Sequence, residues 1–443
     1  MSMGVVPFDT CERLGSSGDV EASAPPEVTT MRYCTECVMP DTRPDLRFDE
    51  HGVCDACRSN SVKYGRSAEA IDWDGRRHEF EALLDKYRLH DPLRYDCVIP
   101  VSGGKDSHLT MYYAKVVYGL DPLCVCFEPT LPTEIGRRNL ANISRLGVDL
   151  IHFKQNPVVY DKLIMEGFRR VGDMEWANHM GIWSVPVHIA IRFDIPLILW
   201  GESPQMEYGG AETVSQTNMR IFNEDWLNDY GCLNGLRPQD LVSEKLQVTL
   251  SDLKMYVYPG KEEVARWGGL GVFLGYYFKW NVPENIRKIE EIGWSRRPGR
   301  IEVSYSDYEK LDCLSMNLHD YLKYLKYGYG RASDTASLDV RNDVISREQA
   351  VRLVEKYDGR YPKECVERFC TRFNLSKTEF DHICDGFTNK ALFERAGEKL
   401  VRDIDGSLVM KQKYLAQRRN PRSGWEVGRS RPQPPVAVGP AGH

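Results

Sequence analysis

The amino-acid sequence predicts an α/β protein built on a doubly wound parallel sheet, and three observations carry that prediction. Four short apolar runs, Tyr95 to Val101, Pro122 to Phe127, Val148 to Phe153 and Pro196 to Trp200, alternate with longer amphipathic segments at helix-like spacing. Strand–helix units repeated in that order give a parallel sheet covered by helices on both faces. A glycine loop joins the first run to the helical segment after it. The 443 residues allow about three folded units. We expect an unstructured leader over 1–30, a cysteine module over 31–60 and a helical connector over 61–93. The sheet-bearing domain follows over 94–300, with an aromatic, Gly-interrupted insertion beyond Gly201. A mainly helical region over 301–400 and an unstructured tail over 417–443 complete the chain.

Composition narrows the function classes. Lys and Arg number 58 against 64 Asp and Glu, a net charge of −6, so the chain lacks the positive charge of proteins that coat nucleic acid, and none is expected as a partner. Thirteen cysteines are too sparse for a disulfide scaffold in a chain of this length, and their odd count fits a reducing compartment. The first thirty residues lack the basic start and apolar centre of a secretory signal. The longest uncharged apolar run, Trp267 to Phe278, is well short of the roughly 20 residues of a spanning helix. A cytoplasmic protein without membrane contact is expected.

Two Cys-x-x-Cys pairs, Cys34-Thr-Glu-Cys37 and Cys54-Asp-Ala-Cys57, are separated by sixteen residues. A two-residue spacer lets both thiolates of a knuckle face one ion, and two knuckles complete the tetrahedral four-sulfur shell that zinc favours. An iron–sulfur cluster is the rival, since four thiolates also suit it. A closed four-cysteine site leaves no position for substrate, so its role is structural, replacing the core that so short a segment cannot build.

Between Val101 and the helical segment from His108 lies Ser102-Gly103-Gly104-Lys105-Asp106-Ser107. Glycines at the carboxyl end of a strand let the backbone turn tightly and aim amide hydrogens outward, and the following helix adds its positive end. The loop can therefore cradle an anion, with Lys105 supplying a mobile charge. It is not the Walker pattern, because Ile99 stands five residues before Gly104.

Ser102 to Ser107 resembles the Ser-Gly-Gly-x-Asp-Ser signature of the PP-loop ATP pyrophosphatases. Further segments resemble, within that superfamily, the N-acetyl sugar amidotransferases: Cys34 to Pro44, the knuckle Gly52-Val-Cys54, Trp200-Gly201-Glu202 with Glu207-Tyr208-Gly209, and Lys326-Tyr-Gly328-Tyr-Gly330-Arg331-Ala. The likeness runs from about Met31 to about Phe393. It implies an adenine nucleotide alpha hydrolase-like fold and ATP cleavage between the α and β phosphates. The enzyme would adenylate the acetamido carbonyl of an N-acetyl sugar and replace its oxygen with ammonia-derived nitrogen. An acetamidino sugar, AMP and pyrophosphate would result, in the manner of O-antigen or pseudaminic acid pathways. A separate glutaminase with a channelling partner would deliver the ammonia. One departure is Thr335, where the family pattern has His.

On this reading Ser102, Gly103, Gly104, Lys105, Asp106 and Ser107 hold the pyrophosphate end of ATP, and Asp106 is the magnesium ligand. Glu202, at the carboxyl end of the fourth run, either holds a second magnesium or deprotonates the incoming amine, with a plain helix-start carboxylate as the alternative. Glu128 and Thr130, after the second run, could line the nucleotide pocket or belong to an ordinary loop. Arg331, with Tyr208, is the candidate for grasping an acidic or phosphorylated sugar, and a surface salt bridge is the competing role for the arginine. Cys124 and Cys126 read as core residues. His179 and His188, nine residues apart on a helix, face opposite ways and form no metal pair. Two other readings stay open. A PP-loop tRNA thiolase would need sulfur-carrying cysteines, for which Cys97, Cys124 and Cys126 are candidates, and a nucleotide-sensing adaptor would need no catalysis at all.

Overall fold

The computed structural model describes residues 30–63, 71–201 and 221–425. The four apolar runs form β1 (Cys97–Pro100), β2 (Pro122–Phe127), β3 (Asp149–Phe153) and β4 (Leu197–Trp200). Two strands beyond Gly201, β5 (Ile221–Phe222) and β6 (Leu270–Phe273), complete a sheet in the order β3-β2-β1-β4-β6-β5. All pairings are parallel except that of β5 with β6. β6 lies inside the run Trp267 to Phe278, where glycines mask the strand pattern. A Cβ at Gly271 would stand 3.2 Å from the indole nitrogen of Trp200 and 3.3 Å from Phe222, so glycine there admits the aromatic cover of the sheet.

Helices α1 (Asp55–Lys63) and α2 (Trp73–Tyr87) precede the sheet; α3 (Lys105–Met111), α4 (Glu134–Arg145), α5 (Pro157–Val171) and α6 (Trp176–Arg192) connect its strands. Alternation along each strand divides the core. Val98, Leu123, Val125 and Ile198 pack toward α5, α6 and the C-terminal helices, while Cys97, Ile99, Cys124, Cys126, Leu197 and Leu199 pack under α2, α3 and α4. The sheet is therefore doubly wound, as its sequence predicts. Cys124 is fully buried, and burial pushes its thiol up to about 12, which suits packing and not sulfur transfer.

The carboxyl-terminal region is mainly helical, as expected, with helices from Met316; residues 301–315 contain no helix or strand and are bridged to the loop after β2 at Pro132↔Cys313. One expectation needs correction: residues 417–425 of the expected unstructured tail are ordered. The helix Gln412–Arg419 extends into them, and Trp425 stacks on Phe48 at 5.2 Å, donates to the Tyr33 carbonyl at 2.9 Å and carries the Arg32 guanidinium 3.8 Å above its ring. One half-buried indole outweighs a composition rich in Arg, Pro and Gly. Among the described residues, no helix is long and apolar enough to cross a membrane.

Candidate active site and metal centre

Strand order reverses between β1 and β4, and an open α/β sheet places its ligand crevice at the carboxyl ends of such strands. The loop Ser102–Ser107 occupies that position. Gly103 has φ +90°, and a Cβ there would meet the Gly136 carbonyl oxygen at 2.4 Å, so glycine is required both for the turn and for the approach of α4. Gly104 caps α3, which continues as a π-helix over Tyr112–Val117; the amides of its first turn have no helical acceptor. Gly201, ending β4, lies across the crevice, where its Cβ would stand 3.3 Å from the Cβ of Asp106. Below the loop, the buried ring of His108 sits between the carbonyl oxygens of Gly104 (3.0 Å) and Asn139 (3.1 Å). Burial pushes its pKa down to about 4, so the neutral ring donates to one of these two carbonyl oxygens and packs against the other.

Charge closes the loop from an unexpected direction. Lys105 is buried, and its Nζ reaches both oxygens of Asp106 (2.9 and 2.8 Å) and Glu309 at 3.2 Å. Ser102 donates to Asp312, whose carboxyl burial raises in pKa. The Leu311 carbonyl accepts from the Thr133 hydroxyl, and the Asp312 carbonyl accepts from the Thr133 amide at 3.1 Å. One irregular stretch from the carboxyl-terminal region thus brings two carboxylates to the phosphate loop. Asp106 and Glu309 share the ammonium of Lys105, while Asp312 stands against Ser102.

The remaining predicted site residues are distributed unevenly. Glu202 and Tyr208 lie outside the described residues. Glu128 ends β2, with its carboxylate 2.6 Å from His152 Nε2 and its carbonyl accepting from Gln155 at 2.7 Å. Thr130 is buried against Tyr160, hydroxyl to hydroxyl at 2.9 Å. Arg331 is also buried, and its fork grips Asp320 through two bonds of 3.0 Å. The motif around it is a helix–turn–helix joint: Gly328 (φ +76°) ends the helix Met316–Tyr327, and Gly330 opens Arg331–Arg341 with its amide 2.8 Å from Asp358. Thr335, in place of the family His, turns its hydroxyl back to the Arg331 carbonyl at 3.1 Å.

The four knuckle cysteines converge. Their Sγ atoms all lie within 4.8 Å of one another and are buried, with Cys34···Cys57 at 3.9 Å and Cys37···Cys54 at 3.8 Å. Metal–sulfur bonds of about 2.3 Å in a tetrahedron give sulfur–sulfur edges of about 3.8 Å, so the spacing fits one ion. Arg341 lies buried beside the four thiols, and Arg347 donates to the Cys37 and Cys34 carbonyls at 3.0 and 3.3 Å. The centre therefore packs on the carboxyl-terminal helices through Tyr329, Tyr327 and Val340.

Sequence reasoning did not find a second polar cluster, in the turn between α5 and α6. Asp173 is 2 % exposed and accepts from His319 Nδ1 at 2.9 Å; Glu175 is fully buried and accepts from Ser315 and, at 2.9 Å, from Asn178. His179 faces His319, ring centroids 5.3 Å apart. These residues come from sequence-distant segments with no spacing motif; a Gly-Asp-x-Glu stretch between two helical patterns was the available hint. Separately, a cleft of about 470 Å³ is lined by Arg287, Arg296, Arg300, Tyr305 and Asp339, and by none of the phosphate-loop residues.

Residues 302–404 match the family model described as LPS biosynthesis protein WbpG-like, C-terminal domain. The uncharacterized protein MJ1599 of Methanocaldococcus jannaschii is 22% identical over 341 residues, spanning 76% of this chain and 98% of that protein. Among solved structures, the NMN synthetase of Francisella tularensis is similar at 14% identity and a TM-score of 0.26, covering 50% of this chain and 93% of its own. The U34-tRNA thiolase NcsA of Methanococcus maripaludis, solved with its [4Fe-4S] cluster, is similar at 12% identity and a TM-score of 0.26, covering 73% and 88%. The WbpG-like segment contains Glu309, Asp312, His319 and the Lys326–Arg331 joint.

Proposed function

We propose that this chain, whose phosphate loop is closed by a WbpG-like carboxyl-terminal domain, is an ATP-dependent amidotransferase acting on an N-acetyl sugar. The observation that carries the reading is the union of Lys105 and Ser102 with Glu309 and Asp312, which joins a nucleotide loop to a domain of polysaccharide-biosynthesis type. ATP supplies the adenylyl group that makes an amide oxygen a leaving group. Ser102, Ser107, Lys105 and the amides at Gly103 and Gly104 hold the β and γ phosphates, and Asp106 would hold magnesium. Gly201 and Gly103 let backbone close on the crevice and limit access of water to the activated carbon.

The amide oxygen attacks the α phosphorus, pyrophosphate departs, and ammonia displaces AMP to leave the amidine. The four-cysteine centre holds zinc in a structural role, its sulfur edges fitting one tetrahedral ion. Nitrogen reaches the site from a separate glutaminase through a channelling partner. The test is incubation with ATP, ammonium and a panel of free and nucleotide-linked acetamido sugars. The product mass should change by replacement of oxygen with NH, with equal AMP and pyrophosphate; formation of ADP would overturn the reading.

A further inference from the structure

The buried cluster in the α5–α6 turn has the chemistry of an ammonia-receiving site. The Asp173 carboxylate accepts from His319 Nδ1, so that nitrogen carries a proton and Nε2 is the ring nitrogen outside this bond. Asp173 Oδ2 and His179 Nδ1 stand 3.9 Å apart, too far for a hydrogen bond, and neither makes one with any described residue. Buried polar atoms in folded proteins nearly always have a partner. A single small donor lying off the line between them reaches both. The stretch that closes the phosphate loop leads to this place: Asp312 accepts from Ser102, Cys313 Sγ lies 2.9 Å from the Ser315 hydroxyl, Ser315 donates to Glu175, and His319 follows one helical turn later.

We propose that Asp173 Oδ2, His179 Nδ1 and His319 receive the ammonia nitrogen and that His319 Nε2 takes its proton. This rests on the amidotransferase reading. The nitrogen lone pair forms the new bond to the adenylated carbon. One N–H proton passes to His319 Nε2, and the carbon–oxygen bond breaks with its electron pair leaving on AMP, so the sugar retains an amidinium. His319 is then the catalytic base and Asp173 its positioning residue. The titratable and charged groups around it are Asp173 and Glu175 from the α5–α6 turn, His179 from α6, and Asp320 beside it on its own helix; Lys326 faces Asp173, and Lys310 faces His179. Burial holds His179 neutral, with its pKa pushed down to about 4, so it can accept from ammonia at neutral pH.

The experiment separates the two half-reactions in the full-length protein. Sugar-dependent exchange of labelled pyrophosphate into ATP reads adenylation and needs no ammonia. His319→Asn should leave that exchange within twofold of wild type and lower kcat/KM for ammonium chloride by about 100-fold or more. Asp173→Asn, which keeps an oxygen toward His319, is the second variant and should show the same pattern more weakly. In parallel, histidine ring ¹⁵N resonances assigned to His179 and His319 should shift on titration with ammonium chloride and not with potassium chloride. The inference is overturned if His319→Asn keeps its ammonium kcat/KM within threefold, if the resonances do not move, or if potassium moves them equally. Absence of sugar-dependent exchange in the wild type would instead remove the amidotransferase reading, and the resonance titration would still decide whether ammonium binds here.

Discussion

Replacing Glu175 with Gln should make the protein more stable at neutral and alkaline pH. Burial pushes the Glu175 carboxyl up to about 7 from its ordinary 4.5, against the bond from Ser315 that favours its charged form and together with the adjacent Asp173 carboxylate. The folded state therefore holds a proton that the unfolded chain has released between pH 4.5 and 7. Stability from the neutral carboxyl is present below pH 4.5 and is lost as pH rises through 7. At about 1.4 kcal/mol per pH unit, the interval corresponds to about 3 kcal/mol.

Glutamine avoids that loss because it never ionises, and its local bonds can be kept. Its amide oxygen can accept from Ser315, and its NH₂ can donate to Asn178 Oδ1, a buried atom that has no partner and becomes available by an amide flip. Urea unfolding of both proteins between pH 4 and 9 is the assay. The difference, variant minus wild type, should be near zero at pH 4, rise between pH 4.5 and 7, and stay level near 3 kcal/mol above it. Groups that do not face residue 175 titrate alike in both chains and cancel. A difference that is flat across this range, or that falls with pH, would refute the claim that Glu175 is held neutral by its surroundings.

Lys105→Ala should lower AMP formation by at least about 100-fold while leaving metal content unchanged, as read by a coupled pyrophosphate assay and elemental analysis. Gly103→Ala forces a Cβ into the Gly136 carbonyl at positive φ. Calorimetry with a non-hydrolysable ATP analogue should show lost binding, and unfolding a loss of about 1–2 kcal/mol or more. Cys34→Ser should reduce bound metal to well below one ion per chain and lower the melting temperature, because Tyr329 and Arg341 pack against the same centre.

The order of strands β1 to β4, the phosphate loop and the pairing of the cysteine knuckles were legible because each is written locally. A buried strand is a short apolar run, the turn at Gly103 needs glycine for its positive φ and close approach to Gly136, and two thiols two residues apart can face one ion. β6 was hidden because its glycines are chosen for aromatic neighbours that arrive from Trp200 and Phe222. Arg331 illustrates the same limit: its fork suits an anion, and the anion it grips is Asp320, eleven residues earlier on the preceding helix.

Local pattern alone therefore determined the doubly wound class, the place of the glycine turn and the four cysteines that converge. Tertiary structure alone decided which carboxylates reach Lys105, and that Asp173, Glu175, His179 and His319 share one buried site. The reason is physical. Periodicity and turn chemistry act over a few residues, whereas the energy of a buried charge depends on groups within a few ångströms in space. Glu309 is some two hundred residues from Lys105 in sequence, and folding places its carboxylate 3.2 Å from the ammonium.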